Sequence, residues 1–421
     1  MPDSQFGEVR MRGFRQRAAV SDVLALLTAR TAPLPSEPVP VLNATGRILA
    51  REVTSTVNVP GFAKSAMDGF AVHSSDTTGA TSDTPRTLRI VGESLPARPF
   101  RGDVQSGEAV RIMTGAPIPS GTDAVLMAEF AHQEGNDRVI VRASVAAGKH
   151  VIRVGEDVAR GDTVLQAGRK LRPQDIGLLV SIGVTSVQAV RQPRVAILVT
   201  GNELLPPGEM PAGFRIVDSN SPMLTALAAR DGAVVLGVQR IPDDYTAVRD
   251  AIRATATDAD VILVSGGTSV GTEDHAPLAA AELGELAVHG VALRPAGPLG
   301  VGFLSSSRSQ SVPLFLIPGN PVSCLCAYDL FAGRVIRRLG RRSWELPYRK
   351  LTLPLAGEVA SAVGRVDYVR VKVESTGVRP LATTGASNLS NAVAAAGFVL
   401  VPQECDHLAV GENVEVWLYD E

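Results

Sequence analysis

Between Asp260 and Asp274 the chain reads DVILVSGGTSVGTED, and few folds accommodate that order of residue types. The apolar run Val261 to Val264 has the length and branching of a buried parallel strand. Ser265-Gly266-Gly267 follows at once. Adjacent glycines after a strand let backbone N–H groups turn towards a ligand, because no Cβ blocks the approach. Gly271 breaks the chain again, and Glu273 and Asp274 come directly after it. A donor-rich loop followed by an acid suits a phosphate held beside a divalent cation. For this stretch alone, an ordinary strand-to-helix loop with a capping Asp is the alternative.

The flanking sequence alternates strand and helix patterns. Arg194 to Thr200 is a strand run, and Asn220-Ser221-Pro222 opens a helix with Leu224, Leu227 and Ala228 on one face, ended by Asp231-Gly232. Ala233 to Gln239 is a second strand, and Asp243-Asp244 cap a helix carrying Val248, Ala251 and Ile252. Val312 to Ile317 is a strand and Val322 to Leu339 a helix. The alternation predicts a parallel sheet with helices on both faces, with ligands beyond the carboxyl ends of its strands. Glu203, Asp243 and Asp274 follow three of those ends, and Pro318-Gly319-Asn320-Pro321 follows the fourth. Three like charges on one rim are costly unless a cation sits among them. Each also has a plain structural role: a loop acid at Glu203, helix N-caps at Asp243 and Asp274.

Elsewhere the pattern differs. Val20 to Arg30 reads as a helix with Ser21 as its N-cap, and LNATGRILA, within residues 41–53, as a shorter one. Asp68-Gly69 is a hairpin-type turn pair before Phe70-Ala71-Val72. From Thr87 to Arg142, short β-rich runs separated by Gly and Pro predict a small all-β module, in which Thr114 ends a strand. Gly155-Glu156-Asp157 lies in a loop carrying two acids, and Pro173 opens a helix. After Arg341 only β runs remain, which predicts a barrel or sandwich. The partition is a tail over 1–17, a discontinuous domain over 18–57 and 145–190, an inserted β domain over 58–144, an α/β domain over 191–340 and a β domain over 341–421.

Bulk properties exclude several function classes. A formal net charge of −2 and 4% aromatic residues argue against nucleic-acid binding. Three cysteines without a CxxC pair speak against disulfides or a zinc site; Cys324 and Cys326 read as buried thiols. No apolar run approaches a membrane span. Arg10, Arg12, Arg15 and Arg17 lack an adjoining apolar stretch, so the N-terminus reads as a solvated basic tail and the cytoplasm as the default location. HExxH, Walker A, GxSxG and GxGxxG are all missing, which removes the protease, P-loop ATPase, lipase and ordinary dehydrogenase readings.

Taken together, Ser65-Ala66-Met67-Asp68-Gly69-Phe70-Ala71, Met113-Thr114-Gly115-Ala116-Pro117-Ile118-Pro119, Gly155-Glu156-Asp157, Thr200-Gly201-Asn202-Glu203-Leu204, Asp218-Ser219-Asn220, Ser265-Gly266-Gly267 through Asp274, and Pro318-Gly319-Asn320-Pro321-Val322-Ser323 resemble the MoeA family of molybdopterin molybdenumtransferases, which includes the E domains of gephyrin and its plant homologue. The motifs occur in the family's order from about residue 20 to the C-terminus.

The resemblance implies an elongated homodimer of four-part subunits: a MogA-like three-layer α/β domain with a parallel-rich sheet, an inserted β domain, a discontinuous helical and extended domain, and a C-terminal β-barrel. It implies molybdenum insertion from molybdate into adenylylated molybdopterin with Mg2+-dependent release of AMP. A MogA-like adenylyltransferase and molybdoenzyme acceptors are the implied partners. Asp68, Thr114, Asp157, Glu203, Asp243 and Asp274 are its functional residues, with Glu203, Asp243 and Asp274 towards the metal. Ser265, Gly266, Gly267, Ser269, Arg294, Pro318, Gly319, Asn320, Pro321, Arg370, Ser387 and Ser390 fall towards the substrates. The implied cleft lies between subunits.

Two departures stand out. Where the family reads Lys-Pro-Gly-Lys-Pro, this chain has Arg294-Pro295-Ala296-Gly297-Pro298, so a cation is missing at Gly297. On this reading Gly297→Lys lowers the molybdate concentration for half-maximal insertion by about three- to tenfold. The family's Gly-Ser-Gly is Gly385-Ala386-Ser387 here. A paralogue that binds molybdopterin or a partner protein without turnover is the alternative reading, and a gephyrin-like scaffold a third.

Overall fold

Odd and even positions of the strand Arg194–Thr200 enter two different cores. Val195, Ile197 and Val199 join one apolar cluster, Ala196 and Leu198 another, as the two-residue period of a strand requires. The same split runs through Val261–Ser265 and Val312–Ile317. Burial on both faces is why these runs are continuously apolar instead of alternating. The computed structural model describes residues 17–268, 274–305, 311–381 and 386–419. They group into two units, one of residues 17–37, 46–48 and 189–419, the other of 38–45 and 49–188.

In the first unit the sheet has six strands, ordered Val234–Ile241, Arg194–Thr200, Val261–Ser265, Val312–Ile317, Gly300–Leu304, Gly284–His289. The first four are parallel. The last two run antiparallel to their neighbours, so the expected parallel sheet is a mixed one. The connection from Leu304 to Val312 is shorter than the dozen or so residues a parallel crossover needs, which forces a hairpin-like return.

Helices Asn220–Arg230 and Pro321–Ala327 cover one face through Leu224, Ala228, Cys324 and Cys326. Tyr245–Thr255 and Ala276–Leu283 cover the other through Val248, Ile252, Ala279 and Ala280. Cys324 and Cys326 are fully buried, and burial pushes both thiols well above their usual range. The helix Val20–Arg30 adds Val23 and Leu27 to the first core. Its N-cap is Ala19, without a side-chain bond, so Ser21 lies inside the first turn and is not the cap.

The helix expected from Val322 to Leu339 is interrupted by a π turn, Tyr328–Ala332. That turn holds Asp329, which is fully buried. Arg230 donates to it at 3.1 Å and the Tyr348 hydroxyl at 2.9 Å. Burial raises the Asp329 pKa, and the Arg230 charge opposes the rise.

The C-terminal strands run in the order Arg349–Pro354, Asn413–Leu418, Gly397–Val401, Val366–Glu374, Gly377–Pro380. A bridge from Leu355 to Val378, with Ala356 N–H donating to the Val378 carbonyl at 2.8 Å, closes the ring into a barrel.

The second unit contains a six-stranded sheet ordered Ala124–Met127, Gly69–Val72, Glu108–Ile112, Arg86–Ser94, Arg138–Val141, Ala131–Glu134. Phe70 and Val72 face one core, Ala71 the other. Gly69 is paired on both sides, with Ile112 and Met127, so Asp68-Gly69 starts a strand and is not a hairpin turn. A Cβ on Gly69 would lie 1.9 Å from the Leu126 carbonyl oxygen, which excludes any other residue. The helix Pro173–Ser181 forms as expected. The stretch LNATGRILA does not: only the turn Val41–Asn43 is helical. Leu49 N–H donates to Arg169 O and Ala50 N–H to Gln188 O, bonds that helical i→i−4 pairing would preclude. Among the described residues no helix is long and apolar enough to cross a membrane.

Candidate active site

The strand Arg194–Thr200 ends in a buried hydroxyl. Thr200 is 4% exposed, and its Oγ1 finds no hydrogen-bond partner among the described residues. Beside it the strand Val261–Ser265 turns through Gly266 at φ 91° and Gly267 at φ 59°. Both are left-handed conformations that favour glycine. A Cβ on Gly266 would stand 2.3 Å from Thr200 O, and one on Gly267 2.7 Å from Thr200 Oγ1. Only a bare backbone fits the space between the two strand ends.

These strand ends floor a cavity of about 730 Å³. Asn220, at the start of its helix, donates from Nδ2 to Ser265 Oγ at 2.9 Å and to Gly319 O at 2.7 Å. Its Oδ1 is buried and, among the described residues, unpartnered. Burying polar atoms without partners is costly, so Thr200 Oγ1 and Asn220 Oδ1 point to a ligand that satisfies them. Asp218 holds the helix start by accepting from Ser221 N at 3.0 Å.

Glu203, Asp243 and Asp274 all line this cavity. The Asp243-Asp244 pair divides its work. Asp244 caps the helix Tyr245–Thr255 by accepting from Ala247 N at 2.9 Å, while Asp243 accepts from Asn202 N at 2.8 Å. Asp274 is not the cap of Ala276–Leu283, whose N-cap is His275. Burial depresses the pKa of nearby His289, and the Asp274 charge opposes this.

Pro318, Gly319, Asn320 and Pro321 line the cavity with Ser265, Gly266 and Gly267. Ser387 joins from the C-terminal segment, its Oγ donating to Asn320 Oδ1 at 2.8 Å, next to an Ala386 carbonyl that accepts from Val322 N at 2.9 Å. Ser390 is exposed and outside the lining, and Ser269 lies outside the described residues. Arg294 and Arg370 are not in the lining either. The Arg294 guanidinium donates to the buried carboxylate of Asp367 and to Ala360 O. Arg370 is 4% exposed, within the barrel strand Val366–Glu374.

In the other unit, Asp68 and Thr114 meet directly, with Thr114 N–H and Oγ1 both donating to Asp68 Oδ1. Asp157 is exposed on a loop tied to the Val59 carbonyl through its own N–H at 3.0 Å.

Mg2+ takes oxygen ligands and is commonly bound through one or two carboxylates plus phosphate oxygens and water. The cavity lining holds four acids, Glu203, Asp218, Asp243 and Asp274, yet among the described residues no three His, Cys, Asp or Glu groups stand together as a metal site. That donor set fits an ion whose coordination a phosphate completes, and does not fit a pre-built cage. Thr200 and Asn220 were not singled out individually from sequence. The signal available was a polar residue closing an apolar strand run and another opening a helix beside it.

Three family models match the chain in order. They are the MoeA N-terminal region (domain I and II) over residues 18–183, the "Probable molybdopterin binding domain" over 196–338, and the MoeA C-terminal region (domain IV) over 352–419. The molybdopterin molybdenumtransferase of Haemophilus influenzae is 31% identical over 395 residues, covering 91% of this chain and 94% of that protein. Molybdopterin molybdenumtransferase 2 of Mycobacterium tuberculosis is 34% identical over 389 residues, covering 90% and 94%. Two crystal structures of a molybdopterin biosynthesis MoeA protein from Pyrococcus horikoshii superpose with TM-scores of 0.80 and 0.76 at 29% and 28% identity, covering 96% of this chain and 100% of theirs.

Proposed function

Since the chain belongs to the MoeA family, whose members named above are molybdopterin molybdenumtransferases, we propose that its cavity accepts adenylylated molybdopterin and molybdate and releases AMP as molybdenum enters the dithiolene. The observation carrying this reading is the cradle of Gly266 and Gly267 against Thr200. The Gly266 N–H already donates to Ile317 O at 3.2 Å, so the amides that follow it, from Gly267 onward, are those suited to phosphate oxygens, and Thr200 Oγ1, orphaned among the described residues, has a proton to donate to one.

Asn220 Oδ1 is placed to accept from an N–H or O–H of the substrate away from the phosphate, and its Nδ2 locks the glycine loops in place through Ser265 and Gly319. Glu203, Asp243 and Asp274 would hold Mg2+ opposite the amides. When bound, the ion offsets phosphate charge and polarises phosphorus. The Ser387–Asn320 hydrogen bond steadies the far wall, where the C-terminal segment meets the Pro318–Pro321 loop.

We further propose the homodimer that the resemblance implies, with Asp68, Thr114 and Asp157 completing the cleft of the opposite subunit. A MogA-like adenylyltransferase would supply the adenylylated substrate, and molybdoenzymes would take the product. Incubating the protein with adenylylated molybdopterin, Mg2+ and molybdate tests the reading. Stoichiometric AMP release that requires both Mg2+ and molybdate is expected, and its absence would leave a binding protein in place of the enzyme.

A further inference from the structure

An anion-binding cavity ordinarily carries a cation, yet among the described residues lining this one there is no lysine or arginine. Its four acidic residues, Glu203, Asp218, Asp243 and Asp274, leave the wall negative. The wall includes Pro298, and the residue before it is Gly297. A Cβ built on Gly297 would meet the guanidinium of Arg17, with Cζ and Nη1 both at 3.7 Å. Arg17 thus stands over the backbone one residue from the cavity wall.

Its placement is not that of a loose tail. Ala18 forms a parallel bridge with Val291. Its N–H donates to Gly290 O at 3.0 Å, and its carbonyl accepts from Ala292 N at 2.9 Å. The loop that follows is closed by Val291 N donating to Gly297 O at 2.9 Å. Two clamps therefore fix the backbone beside Arg17 and the backbone beneath it. Gly297 itself does not adopt a left-handed conformation, and its added Cβ would meet Leu293 O at 3.5 Å, ordinary van der Waals contact. Backbone geometry does not demand glycine there; the missing side chain leaves room for the guanidinium.

We propose that Arg17 supplies the positive charge for a tetrahedral oxyanion at the Gly297–Pro298 end of the cavity. The inference rests on the molybdenum-inserting reading for the identity of that oxyanion, either molybdate or the adenylate phosphate. A guanidinium suits both, because its planar fork of N–H donors pairs with two oxygens of one anion. Its charge also offsets the carboxylates across the cavity.

The test compares the parent with Arg17→Gln, Arg17→Lys and Arg17→Gln/Gly297→Lys. One arm measures the molybdate concentration for half-maximal insertion, the other inhibition by AMP. Arg17→Gln raises the half-saturating concentration in the arm whose anion it binds by about five- to tenfold, the size of one charge-assisted contact. It also flattens the dependence of that constant on added salt. Arg17→Lys keeps most of the affinity, and the double variant regains it, since a lysine at 297 returns a cation to the same place. A purely structural strap would lower the melting temperature without changing the salt dependence, and without rescue by Gly297→Lys. Unchanged constants in both arms for Arg17→Gln overturn the proposal. Direct calorimetric binding of molybdate and of AMP carries the same comparison without turnover. A parent that releases no AMP therefore refutes the function while still deciding the role of Arg17.

Discussion

Thr114 gives Asp68 two hydrogen bonds, from its backbone N–H at 2.6 Å and from its hydroxyl at 2.8 Å, both to Oδ1. The backbone bond and then the hydroxyl bond lower the Asp68 pKa below its ordinary value. An exposed carboxylate is thereby kept ionised into acid. Thr114→Val removes the hydroxyl bond but leaves the backbone one. With less support for the ionised form, the Asp68 pKa rises, and AMP release is lost at a higher pH on the acid side. A pH–rate profile of the two proteins checks the direction; superimposable acid limbs would show that Asp68 ionisation does not govern turnover.

Asp274→Asn keeps the shape of the side chain and removes a carboxylate from the cavity wall. AMP release at saturating Mg2+ is expected to fall by orders of magnitude, because metal stabilisation of a phosphoryl centre is worth several kcal/mol. Chelation of the metal should stop the parent to a similar extent. Turnover near that of the parent would reduce Asp274 to a loop acid.

Gly266 and Gly319 make a matched pair. Gly266→Ala forces a Cβ to 2.3 Å from Thr200 O at a φ of 91°, whereas a Cβ on Gly319 meets only Gly266 Cα at 3.7 Å. The first substitution should cost about 1–3 kcal/mol or more and shift the glycine amides. The second should leave thermal stability close to the parent. Equal melting temperatures would mean that the loop relaxes freely.

If the cleft is shared between subunits, two inactive variants should complement. Mixing Asp68→Asn with Asp274→Asn after dissociation and reassociation places both lesions in one site of each mixed dimer and leaves the other intact. Random exchange then restores about a quarter of parental sites in a twofold dimer. No recovery above the separate variants would place all six residues in a single-subunit site.

Asp175 is buried at the start of its helix and takes two hydrogen bonds from Arg169, each at 2.9 Å. The Arg169 contact, with further help from Arg172, holds its carboxyl well below the usual carboxylate range against the opposing effect of burial. A depressed folded-state pKa contributes stability that is fully present above the unfolded value of about 4 and lost as pH falls through the folded value. Asp175→Asn should therefore lower stability at neutral pH by about 1 kcal/mol, because both arginine partners are well exposed to solvent. The gap should narrow as pH drops below about 4. Denaturant titrations at several pH values would reveal a gap that stays constant, if the pair is inert.

The lysine expected to help at position 297 meets a different situation. Arg17 already occupies the space over Gly297, so Gly297→Lys alone brings two cations together. Its benefit to molybdate use should fall short of the about three- to tenfold gain expected from sequence and grow only once Arg17 is neutralised.

Local chemistry made much of this protein legible in its sequence. Buried strands announced themselves as short branched runs, and Ser265-Gly266-Gly267 announced a bare turn, because period and glycine act within a few residues. Glu203, Asp243 and Asp274 fell at strand ends and do line one cavity. Tertiary structure alone decided where the arginines went. Arg294 is spent on the buried carboxylate of Asp367, which the barrel brings to it. Arg17, read from sequence as part of a solvated tail, is carried to Gly297 by the pairing of Ala18 with Val291. It also left Thr200 Oγ1 and Asn220 Oδ1 buried without partners among the described residues. Such contacts join residues far apart in the chain, and long flexible side chains take their partners from packing, which no local propensity records.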